Sequence, residues 1–130
     1  MSTTAARAVA VWIVILVLAI ANGVLREALL IPWLGRSAGL VASGLLLSAL
    51  ILLVAWLALP WLRARTDRAL WAVGVVWLGL TLVFEFSFGL LGGRSLDEIL
   101  AAYTFTDGNL WPVVLLTTVV APWIAGRLRD

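Results

Sequence analysis

The run Ala8–Leu25, AVAVWIVILVLAIANGVL, is followed at once by Arg26-Glu27, and its reading decides the fold. Eighteen nearly uninterrupted apolar residues make about 27 Å of helix at about 1.5 Å per residue, close to the hydrocarbon thickness of a bilayer. Toward its end the run admits an amide, Asn22, and then two opposite charges. An ionisable group at membrane depth is costly and usually faces a partner or a water-filled cavity. The counterpart in this chain is Glu85, set in Phe84-Glu85-Phe86 near the end of another apolar run. Arg26 and Glu85 are therefore expected to meet.

Working outward from that run, composition points the same way. Hydrophobic residues are 64% of the chain and charged ones 12%, against a soluble norm of roughly 45–50% apolar and about 25% charged. A water-soluble fold is excluded on these grounds. All nine basic residues are arginine, and they lie beside apolar runs rather than in one block, which suits lipid headgroups and not nucleic acid. The absence of cysteine and histidine removes thiol nucleophiles, iron–sulfur ligands and imidazole. No catalytic set, metal set or cofactor is expected. Arginine used in place of lysine, with abundant Ala, Gly and Leu, resembles the coding bias of a GC-rich bacterium.

The whole chain reads as a single all-α membrane domain: a four-transmembrane-helix bundle with a short amphipathic helix in the third connection. Spans are expected at about 8–26, 38–60, 69–90 and 110–126, with the interfacial helix at about 96–103. Ala19-Ile20-Ala21 has the A-x-A form of a signal-peptide cleavage site, but the run is read here as a retained span. Ala28–Leu34 is too short to cross; Pro32-Trp33 and Gly35-Arg36 predict a chain turning at the interface. Ser37 is the expected N-cap of span two, whose small residues fall in pairs four apart, Gly39 with Ser43 and Gly44 with Ser48. Pro60 is expected to end that span before a basic turn holding Arg63, Arg65, Asp67 and Arg68.

In span three, Gly74, Thr81, Glu85 and Gly89 share a helical stripe expected to face protein. Trp77, Phe84 and Phe88 form a neighbouring aromatic stripe, expected to face mostly lipid or a neighbouring helix. Ser95-Leu96-Asp97-Glu98 matches a capping box, and Leu96, Ile99, Leu100 and Tyr103 recur at helical spacing. The segment reads as a surface helix that covers helix ends or lids the polar site. Pro112 falls in the first turn of span four and Pro122 near its end.

Six arginines fall on the side of the termini and the second connection, and three on the other side with most of the acids. The positive-inside rule then puts both termini in the cytoplasm of a bacterial cytoplasmic (inner) membrane. Three Pro-Trp pairs place Trp33, Trp61 and Trp123 as interfacial anchors, each with an arginine nearby.

In that topology Arg26 lies about 27 Å and Glu85 about 24 Å up their helices. Asn22 sits one turn below Arg26, Thr81 one turn below Glu85, and Glu27 in headgroup water. Asn22, Arg26, Glu27, Thr81 and Glu85 are thus the candidate polar or ligand site. One account makes the pair a structural device fixing helix register; the other makes it a binding or transfer site, with Arg26 holding an anionic group.

Asn22-Gly23-x-Leu25-Arg26-Glu27 with Pro32 and Gly35, then Phe84-Glu85-Phe86-x-Phe88-Gly89, Tyr103 and Gly108-x-Leu110-Trp111 resemble a set of small bacterial integral membrane proteins of unassigned function. The resemblance covers most of the chain and implies four spans but no activity. Leu90 stands where members of that set often carry a histidine. The first functional reading is a non-enzymatic accessory or structural membrane component. The alternative is a small transporter or channel using Asn22, Arg26, Thr81 and Glu85. The partners are the lipid bilayer and, as candidates, other membrane proteins or further copies of the chain.

Overall fold

Residues 3–101 and 109–129 are described by the computed structural model, and they form helices joined by short turns, with no strand. Helix α1 (Thr3–Leu25) passes through a π-helical turn (Arg26–Leu30) into α2 (Ile31–Leu34); α3 spans Arg36–Leu62, α4 Asp67–Leu91, α5 Leu96–Ala101 and α6 Trp111–Arg129. Four helical stretches are long and apolar enough to cross a membrane: Thr3–Leu34, Arg36–Leu62, Asp67–Leu91 and Trp111–Arg129. Many large apolar side chains on their outer faces, among them Val17, Val24, Val75, Val83 and Leu116, are more than half exposed. Hydrocarbon is the solvent that suits such a surface.

The turn expected over Pro32-Trp33 and Gly35-Arg36 falls at the second of these pairs, and the first helix runs on through Pro32 to Leu34. Pro32 has no N–H to give, and in a regular helix its ring would press on the carbonyl four residues back. The preceding turn widens instead, with the Ile31 N–H donating to the Arg26 carbonyl five residues back. The break comes at Gly35, whose φ of 90° is cheap only for glycine. Helix α3 then starts at Arg36 with Gly35 in the cap position and no side-chain cap, so Ser37 lies inside the helix rather than capping it. Gly39 lets the new helix close on α2, since a Cβ there would come within 2.9 Å of the Ile31 backbone.

Pro60, expected to end span two, is carried inside α3, which continues to Leu62 and closes at Arg63 in the left-handed region. The missing Pro60 N–H would have served the Trp56 carbonyl. Arg129 supplies the donor from α6, its Nε reaching that carbonyl while its guanidinium lies 4.2 Å from the Trp56 ring centre. Helix α4 begins with a side-chain cap: Thr66 Oγ1 accepts from the Ala69 N–H at 3.1 Å.

In the bundle α1 packs on α3 and α4, and α6 packs on the same two helices. Small residues set the closest approaches, as the spacing in α3 suggested. A Cβ on Gly74 would collide with the Val119 carbonyl, and one on Gly44 with the Leu110 side chain. The end holding the α1 N-terminus and the α6 C-terminus is solidly filled by Ala8, Val11, Ala55, Leu59, Leu62, Leu70, Val73, Trp77, Ala121 and Ala125. Trp77 is fully buried there and donates its indole N–H to the Ala8 carbonyl at 2.9 Å. Of the aromatic stripe, Trp77 therefore faces a neighbouring helix, whereas Phe88 is 69% exposed on the outside.

Arginine and tryptophan interleave at this arginine end. Arg7 donates to the Trp61 carbonyl at 2.7 Å and covers the Trp61 ring. Arg127 covers Trp123, which stacks on Trp71. Trp61 thus takes its cation from another helix and Trp123 from its own, while Trp33, at the other end, is 80% exposed.

Candidate functional site

Toward the α5 end the bundle is hollow. A cavity of about 780 Å³ opens among α1, α3, α4 and α6 beneath α5, and its walls include Asn22, Arg26, Glu27, Thr81 and Glu85. All five candidate residues from the sequence therefore border one space. Its lower walls are apolar, with Ile15, Leu16, Leu40, Leu47 and Val114, and its rim carries Arg26, Glu27, Arg36, Arg94 and Glu98.

A chain of hydrogen bonds braces the cavity where it meets the filled half. Trp12 donates its indole N–H to Thr81 Oγ1 at 3.0 Å, and Thr81 in turn donates to the Trp77 carbonyl at 2.8 Å. Trp12 also meets the edge of Phe84, with ring centres 6.4 Å apart. Thr81 is thus committed to joining α1 and α4. Asn22 is 5% exposed and is committed to α3: its Nδ2 donates to the Ser43 carbonyl at 3.2 Å, and its Oδ1 accepts from the Ser43 hydroxyl.

Arg26 opens the π turn, and its Nε pairs with Glu27 Oε1 at 3.3 Å, about a third exposed. Its guanidinium folds back over Gly23, where a Cβ would lie 3.6 Å from Nη2. The expected pairing of Arg26 with Glu85 is not the one found at Arg26: its ion pair is with its sequence neighbour Glu27, and Glu85 stands in the wall of the same cavity with Oε2 shielded from solvent. Glu27, placed in headgroup water by its position, is exposed as expected but holds the arginine.

Helix α5 borders the cavity through Glu98 and Ala101. The Ser95–Glu98 capping box is reciprocal, with the Glu98 N–H donating to Ser95 Oγ and the Ser95 N–H donating to Glu98 Oε1, both at 3.2 Å. The backbone N–H of Ser95 holds the Glu98 carboxyl below the usual carboxylate range, helped by the Ser95 hydroxyl and the Arg94 charge. Ile99 is fully buried and sits over Gly89 of α4, where a Cβ would come within 2.8 Å of it. Leu96 and Leu100 of the same helix are exposed. Tyr103 and Asp107 lie outside the described residues.

Several contributors escaped the sequence reading. Ser43 reads from the sequence as a small packing residue and Arg36 as an anchor, Trp12 carries no flag there, and Trp111 enters only through the resemblance. The Trp111 indole N–H is buried in the cavity wall with no acceptor among the described residues. A signal was present: Trp12 and Trp77 sit inside apolar runs rather than at their ends, and a mid-span indole needs an acceptor. Among the described residues no group of three His, Cys, Asp or Glu is placed to hold a metal ion.

Compared with protein-family models, curated proteins and solved structures, the chain matches none.

Proposed function

We propose that this multi-pass membrane protein binds a small ligand in the cavity and belongs to the transporter or channel class, with the arginine end cytoplasmic in a bacterial inner membrane. The observation that carries the reading is the convergence of Asn22, Arg26, Thr81 and Glu85 on one space of about 780 Å³. Ligand pockets occupy roughly 300–1,000 Å³ and are mostly apolar with a few placed polar groups. The unmatched Trp111 donor and the Arg36 guanidinium favour an occupant with hydrogen-bond acceptors. The filled half beyond Trp77 supports a binding or alternating-access device over an open pore.

The accessory or structural reading keeps one observation in its favour: Asn22 and Thr81 spend their hydrogen bonds on joining helices. Liposome entry assays with a panel of small anions and amphiphilic solutes separate the two. Saturable entry that disappears in Arg26→Ala and persists in Arg68→Gln is the expected result. No saturable entry by any solute, together with reproducible co-purification of a larger complex in mild detergent, would leave the accessory role.

A further inference from the structure

The arginine end carries a second recess, separate from the cavity beneath α5. Six of the nine arginines of the chain gather at this end, and four of them, Arg63, Arg65, Arg127 and Arg129, border a hollow of about 410 Å³ between the α3–α4 turn and the last turn of α6. Among the described residues the one acid in its wall is Asp67, paired with Arg127 at 3.4 Å, against four arginines. Its floor is apolar, formed by Leu59, Pro60, Leu70 and Gly126.

We infer that this recess holds the phosphodiester headgroup of an anionic membrane lipid, with the first methylenes of the acyl chains on the Leu59–Leu70 floor. Two of its guanidinium groups are held in place before any ligand arrives. Arg129 is fixed by the Trp56 carbonyl and ring, and Arg127 by Asp67 and the Trp123 ring. A guanidinium has five N–H donors, and these contacts leave several for phosphate oxygens. Ordering them in advance removes part of the entropy cost of binding. The side chains of Arg63 and Arg65 have no hydrogen-bond or ion-pair partner among the described residues, and both project from a turn that Arg63 makes at φ 58°. Two guanidinium groups are therefore anchored and two are uncommitted, which suits a bidentate clamp closing on phosphate.

A lipid is favoured over free phosphate by the level at which the recess lies. Two of its arginines lie against indole rings, Arg129 on Trp56 and Arg127 on Trp123, and indole rings settle at headgroup depth. The apolar floor would be wasted on an inorganic ion.

The test uses the full chain in detergent micelles, titrated with short-chain phosphatidylglycerol, short-chain phosphatidylcholine and inorganic phosphate, with retained ligand counted by native mass spectrometry. One phosphatidylglycerol should bind saturably and in preference to phosphatidylcholine. Arg65→Gln should weaken it by about fivefold, the worth of one basic residue near an anionic surface, and Arg63→Gln with Arg65→Gln by more. Arg68→Gln removes the same charge three residues away, in the first turn of α4 and outside the recess, and should change binding by less than about twofold. Equal losses in Arg68→Gln and Arg65→Gln would reduce the effect to diffuse attraction and overturn the site. Phosphatidylcholine binding as tightly as phosphatidylglycerol, or inorganic phosphate binding as tightly as the lipid, would overturn it as well.

Discussion

The ring that Asn22 makes with Ser43 offers a sharp test of how α1 is held against α3. Both polar ends of the amide are spent on one residue, Nδ2 on the Ser43 carbonyl at 3.2 Å and Oδ1 on the Ser43 hydroxyl, with Asn22 only 5% exposed. Side-chain hydrogen bonds inside membrane proteins average about 0.6 kcal/mol and reach about 1.7. Ser43→Ala removes only the hydroxyl bond but leaves a buried amide oxygen without that donor, a loss of about 1–2 kcal/mol. Asn22→Ala removes both bonds and leaves the Ser43 hydroxyl and carbonyl behind, about 2–3 kcal/mol. In the double variant the hydroxyl bond is counted once, so a coupling of about 1 kcal/mol should appear in the cycle. Unfolding in mixed micelles of mild detergent and dodecyl sulfate, followed by tryptophan fluorescence and helical circular dichroism, measures each corner. Additivity to within about 0.3 kcal/mol, the behaviour of independent sites, would refute the contact and with it this docking of α1 on α3.

Three further outcomes follow from other contacts. Gly74→Ala should cost about 1–3 kcal/mol, because its new methyl meets the Val119 carbonyl of α6, whereas Gly79→Ala, with nothing within 4 Å, should be neutral or slightly stabilising; thermal unfolding in detergent compares them. Arg129→Gln should destabilise by about 1–2 kcal/mol by stranding the Trp56 carbonyl, and Pro60→Ala, which restores a backbone donor to that carbonyl, should make Arg129→Gln nearly silent in the same assay. The Glu98 carboxyl should titrate below an ordinary glutamate by carboxyl-carbon NMR and move upward in Ser95→Ala. Since its folded value is lowered, the stabilisation of α5 is complete above the unfolded value and is lost as pH falls through the folded one; a hydrogen-exchange protection factor at the Ser95 amide, which donates to the carboxylate, that is unchanged on acidification would count against the cap.

The four spans were legible because long, predominantly apolar runs of about seventeen residues or more have few other homes, and the capping box because its two partners are three residues apart. What sequence conveyed less well was angle. Heights along α1 and α4 bring Arg26 and Glu85 to the same level, and both border the cavity. Rotation about the helix axis decides which head touches which, and the π turn that opens at Arg26 resets it for the residues beyond. That turn arises from Pro32, six residues on, which had been read as a break. Pro60 misled for a related reason: a proline inside a membrane helix is tolerated when another group serves the freed carbonyl, and the group, Arg129, comes from the far end of the chain. The Asn22–Ser43 pairing was hidden because a serine spaced four from a glycine is read first as a small residue for packing.

The central claim is that the interior of the bundle is hollow toward α5 and filled toward the arginine end, beneath the recess between the α3–α4 turn and α6. The chain has no cysteine, so single cysteines can be introduced and probed with a charged, membrane-impermeant methanethiosulfonate reagent applied to each face of sealed vesicles. Ala19→Cys and Gly23→Cys, in the cavity wall, should react from the α5 side alone, while Ala55→Cys and Ala121→Cys, fully buried beyond the Trp12–Thr81 brace, should not react from either side. Protection of Ala19→Cys equal to that of Ala55→Cys, or labelling of Ala55→Cys from the arginine end, would contradict the account.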